Sequence, residues 1–318
     1  MKNGLTDACS LRLCALILLL VGLLAPSTEA LYLLRKRATV CNGRSELCDR
    51  RYGNTTFLTA HNSFAFSSNP LALARNQVVD IPSQMNIGAR VLQGQAHMVN
   101  GKLRFCHTSC ILFDGGLVLD YVKKVKTFLD ANPYEVFTFI FTNPDRASIP
   151  DVWKPIFDEA GIPPMAYVPP SRPMKRNDWP TLRNLIDANK RVIIFLDAGA
   201  DGSAGGTVDF ILPQFQMVWE GPFSPTDSNF PCKIDRTAGP LSNDDHLHLI
   251  NHNLNRKIIG DILIADFATA SSTNTVNKIV AHANGCAPLS QGRAPNYVLL
   301  DFINIGEGKK AVDTLNGF

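Results

Sequence analysis

"DWPTLRNLIDANKRVIIFLDAG" (residues 178–199) sets two periodicities end to end. Up to Lys190 the apolar residues recur at the three-to-four spacing of an amphipathic helix, with Asp178 expected as its cap and Pro180 in its first turn. From Arg191 the pattern gives way to "VIIFL", a continuous β-branched and aromatic run that reads as a buried strand ending at Asp197. A helix that runs straight into a buried strand is half of a β/α repeat.

The rest of the chain keeps that rhythm. Upstream, "EVFTFIFTN" (135–143) is a second buried strand, "GLVLDYVKKVKTFLDANP" (116–133) an amphipathic helix closed by Asn-Pro, and "PDVWKPIFDEAG" (150–161) a helix stopped at Gly161. Earlier, "TTFLTAH" (55–61), "ARVLQGQ" (89–95) and "KLRFC" (102–106) are extended, with a short helix in "VVDIPSQMNIG" (78–88) stopped at Gly88. Downstream, residues 200–245 read as a large loop with one helix. "HLHLINHNL" (246–254), "DILIADF" (261–267) and "NYVLLDFI" (296–303) then read as strands, with helices over 274–284 and 308–315. The alternation predicts a parallel sheet. Without a Gly-x-Gly-x-x-Gly loop, it points to an α/β fold, a TIM-like (β/α) barrel, rather than a dinucleotide-binding sheet. The expectation is a single domain whose barrel is distorted or incompletely closed.

The 318 residues are 45% hydrophobic, enough for a sizeable core. The net charge of +3 comes from nearly balanced acids and bases with no basic stripe, which argues against a nucleic-acid binder. "LCALILLLVGLLA" (13–25), flanked by Lys2 and Arg12 and followed by small residues at Thr28 and Ala30, is laid out as a secretory signal over 1–30. The dibasic pair Lys36 and Arg37 marks a short pro-segment, 31–37, leaving 38–318 as an extracellular domain expected to be monomeric. Cys9 and Cys14 leave with the signal. Among the other six, the close spacings suggest Cys41 with Cys48 and Cys106 with Cys110, leaving Cys232 with Cys286, although other pairings are formally open. Zinc on the Cys-x3-Cys around His107 is the competing reading and fits usual ligand spacings poorly. Asn54-Thr55-Thr56 is a glycosylation sequon.

In a barrel, chemistry collects at the C-terminal ends of the strands. The polar residues expected there are His61, Gln93, Gln95, His107, Asn143, Asp197, Asn251 and Asp301. One histidine at a strand end is weak evidence; two histidines and an aspartate ending separate strands form a candidate site.

"LTAHNSF", "NIGARVLQGQAH", "LRFCHTSC", "LDANPYEVFTFIFTN", "RVIIFLDAGAD", "PCKIDRTAG", "INHNLN" and "YVLLDFINIGEG", taken in order, resemble the phosphatidylinositol-specific phospholipase C X-domain superfamily, and most of all its secreted fungal-type phosphodiesterases. The resemblance covers nearly all of the mature chain. It implies a barrel that cleaves phosphodiesters with His61 as general base, His107 as general acid and Asp301 orienting the base. The substrate it implies is a phosphoinositide or glycosylated inositol lipid, met at a membrane surface. Asn62, Gln93, Gln95, Asn143, Asp197 and Asn251 are the expected substrate-binding residues. The same logic stands on chemistry alone: a hydroxyl that attacks phosphorus needs a base, and the leaving alkoxide needs an acid.

The chain departs from the resemblance at one place. Where bacterial relatives carry Asp-x-Arg and calcium-dependent ones Glu-x-Asp, it has Gln93-Gly94-Gln95. Neutral amides are poor calcium ligands, so no metal or other cofactor is expected and Asn62 is nearly alone as a calcium donor. They also lack the charge that steadies a phosphoryl transition state, which leaves open a catalytically silent member binding an anionic head group or sugar phosphate. His97 could restore the charge. A glycerophosphodiester- or sphingomyelinase-type reaction would call for acidic metal ligands near His61, and none is seen. His246, His248 and His252 share one strand face and could in principle hold zinc, which only the Asn251-His252 part of the motif speaks against.

Overall fold

The computed structural model describes residues 37–258, 260 and 262–318. The signal segment 1–30 and the pro-segment up to Lys36 lie outside the described residues. The strands form at the β-branched runs. After a 3-10 turn at Tyr52–Asn54 come β1 (Phe57–Ala60), α1 (Ile81–Ile87), β2 (Val91–Val99), β3 (Lys102–Cys106), β4 (Asp114–Leu117), α2 (Val118–Ala131) and β5 (Phe137–Thr142). Next are α3 (Lys154–Glu159), α4 (Leu182–Asp187), β6 (Val192–Leu196), β7 (Leu212–Pro213), β8 (Val218–Glu220) and β9 (Leu247–Asn251). The chain closes with β10 (Asn255–Lys257), β11 (Leu263–Ala265), α5 (Ala270–Thr273), α6 (Val276–Cys286), β12 (Tyr297–Leu300) and α7 (Gly308–Leu315).

Eight of these strands lie side by side in the order β7-β6-β5-β2-β1-β12-β9-β8, every neighbouring pair parallel. Among the described residues no ladder joins β7 to β8, so the sheet curls into a barrel that stays open at one seam. The reason lies in the connection. A parallel crossover needs roughly a dozen residues, and only a single 3-10 turn, Gln214–Gln216, with Met217 separates these two strands. The edge of β8 is covered instead by the main chain of Arg236, which accepts from Glu220 N at 2.9 Å.

The segment 200–245 therefore carries two barrel strands and 3-10 turns rather than the expected helix; at two and three residues the strands are too short to show a period. "DILIADF" is also not a barrel strand, since β11 pairs only with β10, antiparallel, in a separate hairpin. β3 lies off the barrel too, pairing antiparallel with β2 and β4. The cap of α4 is Thr181, whose Oγ1 accepts from Asn184 N at 3.1 Å; Asp178 instead ends the 3-10 turn Arg176–Asp178.

Side-chain alternation divides the sheet into two cores. Phe137, Phe139, Phe141, Ile194, Leu196, Val298 and Leu300 face outward under Val122, Val125 and Leu129 of α2, Ile279 of α6 and Val312 of α7. Ile140, Ile193, Phe195, Leu249, Tyr297 and Leu299 face inward with Tyr52 and Trp179 at the barrel floor. There the Tyr52 hydroxyl meets Thr138 Oγ1 and Tyr297 Oη, each at 2.7 Å. The six cysteines pair as their spacing suggests: Cys41–Cys48, Cys106–Cys110 and Cys232–Cys286.

The last disulfide and a ring stack bind the loop after β8 to α6. Phe230 stacks on His252 and His282 at 4.2 and 4.9 Å, and the two imidazoles meet Nδ1 to Nδ1 at 3.0 Å. Burial pushes His252 down to about 4 and His282 to about 3, whereas an unfolded histidine titrates near ~6.5. Below about pH 6.5 the unfolded chain therefore takes up protons that the folded chain refuses, and stability falls as pH drops towards the folded values. The melting temperature should accordingly fall between about pH 6.5 and 4, and His282→Gln should flatten part of that fall. An identical slope in the variant would place the acid lability elsewhere.

Candidate active site

β1 and β12 pair Ala60 with Leu300, so the next inward residues, His61 and Asp301, meet above them. His61 Nδ1 lies 2.8 Å from Asp301 Oδ1. That contact keeps the proton on Nδ1 and makes Nε2 the ring's acceptor. Three asparagine amides surround the pair. Asn76 Nδ2 donates to Asp301 Oδ1 at 2.8 Å, Asn253 Nδ2 lies 3.2 Å from His61 Nδ1, and Asn62 Nδ2 lies 3.2 Å from Nε2. Asn62 has φ +38°, a left-handed conformation that asparagine tolerates better than most residues. Its backbone N donates to Gln93 Oε1 at 2.8 Å.

His107 does not end a barrel strand. It follows β3 in a loop closed by the Cys106–Cys110 disulfide and by a bond from His107 N to Phe113 O at 3.0 Å; the loop reaches the pocket through Thr108 N, 3.4 Å from Gln95 Oε1, while His107 itself is not among the lining residues. Its Nδ1 donates to Ala74 O at 2.6 Å, which leaves Nε2 for a ligand. Ala74 is two residues from Asn76, so a single loop between β1 and α1 holds both histidines. Burial pushes His107 below the ordinary histidine range. The Ala74 hydrogen bond opposes this, a charge on His61 adds to it, and Asp301 pulls the other way.

The other wall of the pocket, a cavity of about 170 Å³, is lined by Gln93, Gln95, Thr142, Asp197, Asn251 and residues of the seam. At the seam Glu220 is buried and accepts from Gln214 Nε2 and Arg236 Nη2. The Arg236 guanidinium also lies over the rings of Phe223 and Phe215, at 4.9 and 5.1 Å. Burial pushes both Asp197 and Glu220 above the usual carboxylate range, with Arg236 opposing at Glu220. A larger cavity of about 370 Å³, lined by Arg44, Arg90 and Lys309, lies at α1 and α7 and contains none of these residues.

Of the residues expected from sequence, His61, Gln93, Gln95, Asp197 and Asn251 line the pocket, and Asp301 lies directly behind His61. Asn143 does not. It has the outward phase of Phe139 and Phe141, and its amide is spent on Ala147 O and Ala198 O at 3.0 and 3.2 Å. His97 pairs with Asp145 at 3.6 Å, on the part of β2 that extends past the barrel. His246, His248 and His252 turn to three different partners: Ser242 O, the Trp219 ring and His282. Asn76, Gln214, Glu220, Arg236 and Asn253 were not singled out. Arg236 stands in the quoted "PCKIDRTAG", yet nothing local marked it as pocket-facing.

Calcium, which the fold family implies for some members, calls for several oxygen ligands, preferably carboxylates. Gln93 Oε1 is taken by Asn62 N, and the unpartnered oxygens around His61 are Asn62 Oδ1, Asn253 Oδ1 and Asp301 Oδ2, only the last of them a carboxylate. This donor set does not fit the ion.

The family model described as PI-PLC X 1 matches residues 47–316. A PI-PLC X domain-containing protein 1 of Arthroderma benhamiae is 42% identical over 288 residues, covering 87% of this chain and 90% of that one. An uncharacterized secreted protein of the same fungus is 39% identical over 275 residues, covering 84% of this chain and 60% of its own. Among solved structures, a phosphatidylinositol-specific phospholipase C of Staphylococcus aureus superposes with a TM-score of 0.56 at 13% identity, covering 84% of this chain and 93% of that one. At that identity the match speaks for the fold.

Between the two pocket glutamines, Gly94 faces outward against a ring stack. A Cβ there would lie 2.7 Å from Phe105 Cε1 and 3.2 Å from Phe64 Cδ1. Gly94→Ala should therefore destabilise the fold by about 1–3 kcal/mol through overpacking, read as a lower urea midpoint. An unchanged midpoint would mean that the rings move aside.

Proposed function

The chain belongs to the PI-PLC X family, and from that membership we propose that it is an extracellular, metal-independent phosphodiesterase acting on an inositol-type phosphodiester lipid. The observation that carries the reading is the 2.8 Å contact of His61 with Asp301, at the end of two adjacent parallel strands. It gives the pocket a base with a fixed tautomer.

In this reading a ring hydroxyl next to the phosphate loses its proton to His61 Nε2, and its oxygen forms a bond to phosphorus. The bond from phosphorus to the glycerol oxygen breaks, and that oxygen takes the proton of His107 Nε2. The products are a cyclic phosphate and a neutral diacylglycerol; water opening the cycle would reverse the two proton roles. A histidine held low is a strong acid but is seldom protonated at neutral pH. The phosphodiester anion, once bound near His107, raises it again. Gln93 and Gln95 offer amide N–H groups to phosphoryl oxygens, and the seam group of Asp197, Glu220 and Arg236 offers donors and acceptors to ring hydroxyls.

Lipid access fits the rim. Ile111 is 96% exposed, Leu71 82%, Leu112 62%, Phe223 61% and Ile262 58%; Leu71 follows β1 and Phe223 follows β8, while Ile111 and Leu112 lie between β3 and β4 and Ile262 between β10 and β11. An apolar rim around a polar pocket suits transient contact with a bilayer surface. Among the described residues no helix is long and apolar enough to cross one. A head-group binder without turnover is the second reading, favoured by the neutrality of Gln93 and Gln95.

Purified enzyme assayed on phosphatidylinositol vesicles should release diacylglycerol equally with and without a calcium chelator. His61→Ala and His107→Ala should each lower turnover by roughly 100- to 10,000-fold. Vesicle binding without turnover would leave the second reading, and loss of turnover with chelator would overturn metal independence. Ile111→Asp combined with Leu112→Asp should weaken vesicle sedimentation while leaving the fold's melting temperature within about 1 °C, since surface changes of this kind cost little stability.

A further inference from the structure

A third cavity, of about 170 Å³, shares no lining residue with the His61 pocket. Leu73, Ile264, Phe267 and Phe302 wall it, and every other lining residue is apolar except Arg75 and Arg256. The chain sets it beside the candidate site. Phe302 follows Asp301 and donates from its backbone N to Asn76 O at 2.8 Å, and Arg75 stands between Asn76 and Ala74, whose carbonyl holds His107. Arg75 is only 6% exposed. Its Nη1 donates to Ser67 O and Asn69 O at 3.1 and 2.8 Å, and its guanidinium lies over the Phe267 ring at 4.5 Å. All of these partners are neutral. Among the described residues no carboxylate acts on it, and burial alone pulls it below the ordinary arginine range. A guanidinium taken out of water without a counter-ion is costly, and folded proteins seldom bury one unpaired. Arg256 adds a second guanidinium, exposed, whose Nε lies 3.8 Å from Asp266 Oδ1, so of the two cations only Arg256 has a carboxylate beside it.

The charge calls for an anion and the walls call for a chain. We propose that this cavity is a second lipid site, which takes an acyl chain of an anionic phospholipid between Leu73, Ile264, Phe267 and Phe302 and its phosphate against Arg75 and Arg256. Leu73 and Phe267, both half-exposed, form its mouth, so a chain can enter from a bilayer on which the protein rests. A free phosphate would meet the guanidiniums and leave the apolar walls in water, which forfeits the larger part of the surface on offer. A choline-headed lipid would bring a cation up to two others, so the site selects lipids of net negative charge. It goes beyond the proposed reaction and does not depend on it, since neither histidine lines this cavity. Its occupant would hold the 67–76 loop, which carries Asn76, at the membrane surface.

Short-chain phosphatidylglycerol kept below its micelle concentration tests the site without the surface potential of a bilayer. Titrated into the full chain by calorimetry, it should bind saturably, and roughly tenfold more tightly than short-chain phosphatidylcholine or inorganic phosphate, the worth of one charge-assisted hydrogen bond. Arg75→Gln would remove the loop's two bonds together with the charge, so two exposed positions carry the test. Arg256→Gln should weaken binding roughly five-fold, the worth of one basic residue at a lipid head group. Ala268→Trp, which places an indole at the cavity wall, should abolish it. Ligand-free melting temperatures within about 1 °C of wild type show that both variants are folded; should Ala268→Trp melt early, Arg256→Gln decides alone. Binding that survives the variants puts the lipid in the His61 pocket and overturns the proposal. Equal affinity for phosphatidylcholine removes the charge requirement, equal affinity for inorganic phosphate removes the chain, and either overturns it, as does the lack of saturable binding. No turnover enters the measurement, so its failure and that of the phosphodiesterase reading are separate.

Discussion

A strand can show a side chain to only two sides, and in a barrel of parallel strands one side is covered by helices while the other lines the interior. That single choice of phase, made separately on each strand by its apolar residues, decides the contents of the pocket. Outward phenylalanines on β5 fix Thr142 as inward and Asn143 as outward. On β12, Tyr297 and Leu299 face in, and Asp301 follows them. On β1, Phe57 faces in, and His61 follows at the same phase. The candidate site is the upper continuation of the inner core.

The electrostatics of the pocket point one way. Burial moves His107 down and moves Asp197 and Glu220 up, in each case towards the uncharged form. The ionisable groups that remain stand in close pairs, His61 beside Asp301 and Arg236 beside Glu220, and the glutamines add dipoles without charge. Such a cavity has little net field of its own. An anionic ligand bound there would carry the one unbalanced charge. A divalent cation would need the opposite arrangement: carboxylates held ionised and facing one point.

Much of this could be read from the sequence wherever the local signal was strong. The strands of the first half and the last, the stops at Gly88 and Gly161, the helix closed by Asn-Pro and the cysteine pairs all follow from short-range rules that tertiary packing did not override. His61 and Asp301 were legible because each directly follows a clear apolar run. β7 and β8 were not, because two or three residues carry no period, and their loss hid Glu220 as a strand-end residue. Arg236 and Asn253 reach the pocket from irregular segments, where sequence spacing says nothing about direction. Asn143 was misplaced by one residue of phase, the smallest error alternation permits and one that turns a side chain to the opposite face.

The open seam changes what holds one wall of the pocket. Closing a barrel with backbone ladders fixes its circumference, and every residue at the joint then serves the sheet. Here the joint is made by Gln214, Glu220 and Arg236, a side-chain clasp between two strands that never pair. Substitution in such a clasp would reshape that wall of the pocket through side chains alone. The His61–Asp301 pair stands on β1 and β12, where the ladder is continuous, so the two walls of one pocket are held by different means.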